Sequence, residues 1–207
     1  AAAFVAIERR VEAPMLPLDL FRSPVVSATT ATGLVLNFAF YGQLFVLGLF
    51  FQRVLGHSPA VAGLMFLPLT GLVTVMNLVS GRLTAARGPR LPLLAGQLLF
   101  GAGMVAFVLV DADSSALLVE LLLVPVGVGG GLAIPPLTSA LMEAVSSARA
   151  GLAAGVLNAA RQLGSALGVA VSGALVASGF TAGMHQAVLI GGGAALTTAG
   201  LTVRFVR

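Results

Sequence analysis

Long apolar runs separated by short polar breaks make up most of this chain. Six of them stand out, at about 24–52, 60–83, 91–110, 115–138, 150–178 and 184–204. A helix needs about 20 apolar residues to cross the hydrocarbon core of a bilayer, and each run is long enough. The breaks carry proline, glycine or charge: Ser58-Pro59, Gly88-Pro89, Asp111 to Ser115, Ser146 to Arg149, Gly179 to Gly183. Such residues end helices and turn chains. The first and fifth runs exceed the usual span, which predicts tilt or extension into the headgroups. The pattern therefore predicts an all-α integral membrane protein, with a six-helix bundle over residues 24–207. Ahead of it, residues 1–7 are apolar but too short to span. They lack the charged start of a signal peptide and read as the end of a truncated transmembrane helix. Residues 8–23 are polar, with Glu8, Arg9, Arg10, Glu12, Pro14, Pro17, Asp19 and Arg22, and read as a linker.

Composition agrees. Of 207 residues, 58 % are apolar and 9 % charged, against about 25 % charged in a soluble domain. A soluble core could not hide that much apolar surface. The absence of cysteine excludes disulfides, thiol catalysis and cysteine metal sites. The absence of lysine excludes a Walker A phosphate loop and Schiff-base chemistry. Gly127 to Gly131 is no dinucleotide fingerprint, because Leu132 stands where the last glycine belongs and no βαβ pattern surrounds it. No cofactor is expected. His57 and His185 lack acidic neighbours at ligand spacing, so no metal is expected either.

The net charge of +4 would point to nucleic acid in a soluble protein. Here it reports topology, and no nucleic-acid partner is expected. Arg9, Arg10, Arg22, Arg82, Arg87, Arg90, Arg149, Arg204 and Arg207 fall in alternate breaks and at the ends, and Arg53 alone falls on the other side. By the positive-inside rule the linker, the 84–90 and 139–149 loops and the C-terminus are cytoplasmic.

The break at 81–90 reads Gly-Arg-Leu-Thr-Ala-Ala-Arg-Gly-Pro-Arg. As chemistry it is a tight basic turn, either a topology signal alone or a gate whose candidates are Gly81, Arg82, Arg87, Gly88 and Arg90. It resembles the Gly-rich basic loop that major facilitator superfamily transporters place between the second and third helices of each six-helix half. Gly81, Leu83, Gly88 and Arg90 keep that pattern. Ala85 and Ala86 stand where an Asp-Arg pair is typical, and Pro89 replaces a basic residue. Three further stretches are similar to the fourteen-helix drug:proton antiporters of the EmrB/QacA type. They are Pro14 to Arg22, Phe51 to Pro59 with Leu67-Pro68, and Asn158 to Gly164 with Ala166 to Ala170. The resemblance implies the C-terminal six-helix half of such a transporter, in a bacterial cytoplasmic membrane. It further implies export of an amphipathic, often cationic compound by alternating access, with the proton gradient as energy source. The implied partners are membrane lipid, an N-terminal six-helix bundle of the same polypeptide, and the small substrate. The alternatives are a carrier of one metabolite and a non-transporting membrane subunit. A membrane enzyme would need converging His, Asp or Cys, which the apolar runs lack.

Polar residues inside the runs supply the candidate sites. Asn37 and Tyr41 are four apart and share a helix face; Phe38 and Phe45 share an adjoining one. They read either as interhelical contacts or as the wall of a substrate cavity. Glu120 lies about 8 Å into the fourth run. It is a proton-carrying carboxyl or an anchor at the outer gate. Arg161, with Gln162 beside it, lies near the midplane if the membrane core begins near 151. It reaches the cytosol by snorkelling if the core begins near 160. Glu143 is expected to face Arg149 or Arg161. Gly151/Gly155 and Gly164/Gly168, with Ser172, have the small-residue spacing of close helix packing.

Overall fold

The computed structural model describes residues 18–111 and 113–206. The expectations for residues 1–7 and 8–17 fall outside them. Among the described residues there are seven α-helices: α1 (Pro24–Leu49), α2 (Pro59–Leu64), α3 (Leu67–Arg87), α4 (Arg90–Ala106), α5 (Ala116–Glu143), α6 (Ala150–Ala177) and α7 (Phe180–Phe205). Short turns extend several of them, and α2 with α3 makes one bent unit. The result is six segments long and apolar enough to cross a membrane. No strand occurs among the described residues.

Local chemistry accounts for the helix ends. Pro24, Pro59 and Pro68 sit in first turns, where a missing N–H costs nothing. The Ser58 and Ser115 hydroxyls accept from Val61 N and Leu118 N and so cap α2 and α5. One wide turn, Phe50–Val54, closes α1, with Leu55 N–H donating to Phe50 O. Gly88, at φ 78°, ends α3 in a conformation that side chains disfavour.

The helices are arranged as two rows. α1 packs along α6, and α5 packs on both α3 and α4. α7 touches α1 and α4, and α1 meets α5. So α6, α1, α5 and α3 form one row, and α7 and α4 close the back. The flanking members of the front row have few partners: 11 % of the α2–α3 span and 17 % of the α6 span are buried, against 39–50 % for the other four. Glycine permits the tightest crossings. A β-carbon on Gly164 or Gly168 would collide with the carbonyl oxygens of Leu34 and Phe38, and one on Gly129 with Phe100 N. Among the described residues Gly151 and Gly155 meet nothing, and of the two glycine pairs only Gly164/Gly168 packs.

Three prolines lie inside α5: Pro125, Pro135 and Pro136. Pro136 cannot donate to the Leu132 carbonyl one turn back. The Ser80 hydroxyl of α3 fills that vacancy at 2.6 Å. We expect Ser80→Ala to cost about 1 kcal/mol, read as a lower thermal midpoint of the purified chain, with exposed Ser146→Ala as the unaffected control.

Two expectations need correction. The 81–90 segment is helical through Arg87, and only Gly88-Pro89 turns. Thr84-Ala85-Ala86 carries no helix breaker, so the hydrogen-bond ladder continues past the apolar run. Likewise α5 continues to Glu143. Glu143 faces neither Arg149 nor Arg161. Its carboxylate accepts from Ser139 one turn earlier, at 3.1 Å.

Arg149 instead pairs with Asp19 of the Leu18–Arg22 turn, at 2.6 Å, while the neighbouring Leu20 is buried. This contact ties the segment before α1 to the α5–α6 connection. The Arg149 guanidinium holds the Asp19 carboxyl below its ordinary range, chiefly by its hydrogen bond. A lowered folded pKa means the contact is fully present above the unfolded value and is lost as pH falls through the folded one. We expect protease cleavage around Asp19 to be constant through neutral pH and to rise only in acid. High salt or Asp19→Asn should raise it at neutral pH.

Candidate functional site

The front row carries the polar side chains. Asn37 is partly buried on α1, and its Nδ2 donates to Gly33 O at 2.8 Å. One turn on, Tyr41 is 44 % exposed, and its ring meets Phe40 edge-on with centroids 5.6 Å apart. Beside them a mostly apolar cavity of about 70 Å³ is bounded by Asn37, Phe40, Val73, Phe100 and Ile134. It lies where α1, α3, α4 and α5 approach. The Phe38–Phe45 side of α1 turns to α6: Phe45 lies against Gly173, and the Phe38 backbone crosses Gly168. Phe40 and Phe100 were not distinguishable beforehand from ordinary core phenylalanines.

Arg161 is brought to the same region from α6. Its stem packs at Gly33, where a β-carbon would lie 3.3 Å from Arg161 Cγ and 3.5 Å from Leu137 of α5. Three helices thus converge on this residue. Thr30, one turn before Gly33, has a buried hydroxyl with no partner among the described residues. Its signal in the sequence is the seven-residue spacing to Asn37. Gln162 is exposed. Glu120 is remote from it, near the other end of α5. It is partly buried, and its Oε2 is buried without a hydrogen-bond partner.

The arginine-rich end of the bundle holds the gate candidates. Gly81, Gly88, Ser139 and Glu143 line a cleft of about 610 Å³ between α3, the Gly88-Pro89 turn and α5. Arg90 donates to Val203 O at 3.1 Å and so ties α4 to the last turn of α7. Arg82 and Arg87 are exposed. At the opposite end, the His185 ring and Val110 O share a hydrogen bond of 2.7 Å, which joins α7 to the α4–α5 connection.

Known proteins place this architecture. The family model of the Major Facilitator Superfamily matches residues 3–169. The chain is 39 % identical over 182 residues to Multidrug resistance protein Stp of Mycobacterium tuberculosis, covering 87 % of this chain and 34 % of that protein. It is 37 % identical over 179 residues to a Methylenomycin A resistance protein of Streptomyces coelicolor, covering 86 % and 38 %. With the Tetracenomycin C resistance and export protein of Streptomyces glaucescens it shares 36 % over 177 residues, covering 86 % and 33 %. It thus spans little more than a third of the length of these relatives. Among solved structures, a bacterial homologue of the human drug peptide transporters PepT1 and PepT2 superposes with a TM-score of 0.74 at 18 % identity, covering 88 % of this chain and 41 % of that one. That likeness concerns the fold.

Proposed function

This chain belongs to the Major Facilitator Superfamily, and from that premise we propose that it forms the C-terminal half of a proton-driven exporter of amphipathic drugs. It is a multi-pass membrane protein of a transporter family, not an enzyme. One observation carries the reading. The two flanking helices of the front row, α3 and α6, are scarcely packed. Between them α1 presents Asn37 and the exposed Tyr41 to the same side. That face suits a second six-helix bundle, supplied by the rest of the same polypeptide, with a substrate cavity enclosed between the two.

In this reading the arginine-rich end faces the cytosol. The bundles rock about the cavity, which opens to one side at a time. Tyr41 and Phe40 supply aromatic area without strict hydrogen-bond demands. Glu120, whose buried oxygen lacks a partner, takes up and releases the proton. The Gly88-Pro89 turn and Arg90 bear on the cytosolic gate. The resistance proteins named above support a drug as cargo.

The test is efflux of several dissimilar amphipathic drugs from bacteria expressing the full-length parent gene, with and without a protonophore. Efflux of several drugs, abolished by the protonophore, is expected. Loss of an aromatic contact is worth about 1 kcal/mol. Tyr41→Ala should accordingly cut the efflux of planar aromatic drugs roughly fivefold to tenfold. Absence of efflux for every drug would remove the drug assignment and leave a specific metabolite as cargo.

A further inference from the structure

We propose that the junction of α1, α5 and α6 binds an anion: the carboxylate of the exported compound rests against Arg161, with Thr30 and Asn37 as additional donors. This rests on the transporter reading above and reverses the sign of charge that the sequence resemblance implied for the cargo.

The argument begins with the cost of the arginine. Arg161 lies eleven residues beyond the first residue of α6, about 16 Å along the axis. Its Cγ lies against Gly33, beside Leu157 and Leu137, and the residue is half-buried. Arginine stays charged in proteins. A guanidinium inside a membrane bundle is expensive unless an anion or acceptors answer it. Among the described residues Arg161 has no ion pair. Arg149 takes Asp19, and Glu143 is engaged by Ser139. Glu120 sits near the far end of α5. No carboxylate on α1, α6 or α7 can serve, because these helices contain none.

The surroundings complete a donor set. The Thr30 hydroxyl is buried and unpartnered. Asn37 uses one N–H on Gly33 O, which leaves the other free. Thr30, Gly33 and Asn37 follow one another on one face of α1, and the gap at Gly33 admits the Arg161 stem. Tyr41, a turn further on, continues the row with a phenol and an aromatic face. A charged donor and two neutral ones fit a carboxylate; an ammonium would meet like charge. The apolar cavity beside Asn37 and Phe40 would take the start of the hydrocarbon body. The class of ligand is therefore an amphipathic organic acid.

The probe pair is 1-pyrenebutyric acid and its methyl ester, which differ in charge but share the aromatic body. Binding to the purified full-length protein in nanodiscs would be followed by pyrene fluorescence, and efflux by cells expressing it. A charge-assisted hydrogen bond distinguishes the two by roughly tenfold to a hundredfold, so the acid should bind at least tenfold tighter than the ester. Arg161→Gln should bring the two affinities together with the ester unchanged, and Arg161→Lys should keep part of the preference. Thr30→Val should weaken the acid alone. Equal binding of acid and ester by the parent protein would overturn the proposal. So would an acid preference that survives Arg161→Gln. So would loss of ester binding along with acid binding, because that marks a partner carboxylate elsewhere in the polypeptide. The two readings fail separately. Export of the ester without acid preference sinks the anion site and leaves the exporter. Acid binding that Arg161→Gln abolishes, with export of neither probe, does the reverse.

Discussion

Gly168→Leu is expected to destroy the bundle. A β-carbon at this position would collide with the backbone carbonyl of Phe38, and no rotamer change moves a backbone atom out of the way. α1 and α6 would have to separate along their whole crossing, because Gly164 makes the same approach to Leu34 one turn earlier. Overpacking of this kind costs about 3 kcal/mol or more, well above the roughly 1 kcal/mol of helix propensity that replacing glycine returns. The measurement is folded yield and thermal midpoint of the purified chain. Gly155→Leu is the matched control: it has the same small-residue spacing, but a β-carbon there meets nothing. In the isolated chain it should be tolerated. In the full-length protein it should impair transport, if the open face of α6 docks a second bundle. A stable Gly168→Leu variant would mean that the α1–α6 crossing is not the one described.

Glu120→Gln is expected to uncouple transport from the proton gradient. The glutamine keeps the size and polarity of the side chain and removes its ability to exchange a proton. In a coupled system the proton changes substrate affinity by about fivefold to 150-fold. In the variant this pH dependence should vanish while drug binding persists. The readout is drug binding measured across pH, alongside efflux with and without protonophore. Unchanged coupling would make Glu120 an interfacial anchor, the other role its position near the helix end allows.

The six spans were legible because lipid sets a length and a composition that the apolar runs of this chain meet. Their ends were less so. Hydropathy reports where hydrocarbon stops, but the hydrogen-bond ladder continues through Thr84-Ala85-Ala86-Arg87 and through Ser139 to Glu143. Asn37 and Tyr41 could be assigned to one face from spacing alone. The convergence of Thr30, Gly33 and Arg161 could not, since Gly33 and Arg161 come from helices far apart in the chain. Nor does spacing distinguish the glycine pair that packs against α1 from the pair that meets nothing. Only the neighbouring helix decides that. Glu143, expected to face Arg149 or Arg161, turns to Ser139 for the same reason, and Arg149 takes Asp19. Asp19 and Glu143 are equally plausible in sequence, and Leu20 burial brings the first within reach.

The dependence of α6 on α1 has a consequence for biogenesis. Of the six spans, the one containing α6 has the lowest mean hydropathy, 1.2, and it carries Asn158, Arg161 and Gln162. Such a segment partitions into lipid reluctantly by itself, whereas α1, at 1.9, enters readily. Yet Gly164 and Gly168 of α6 find their places on α1, which leaves the ribosome before α5 is made. At about 5–20 residues per second the interval from Leu49 to Ala150 lasts roughly 5–20 seconds. During that time α1 must remain beside the insertion channel with its glycine-lined side uncovered, waiting for α6. A channel or insertase that shields α1 until α6 arrives would set the yield of this protein more than the final stability of the bundle does.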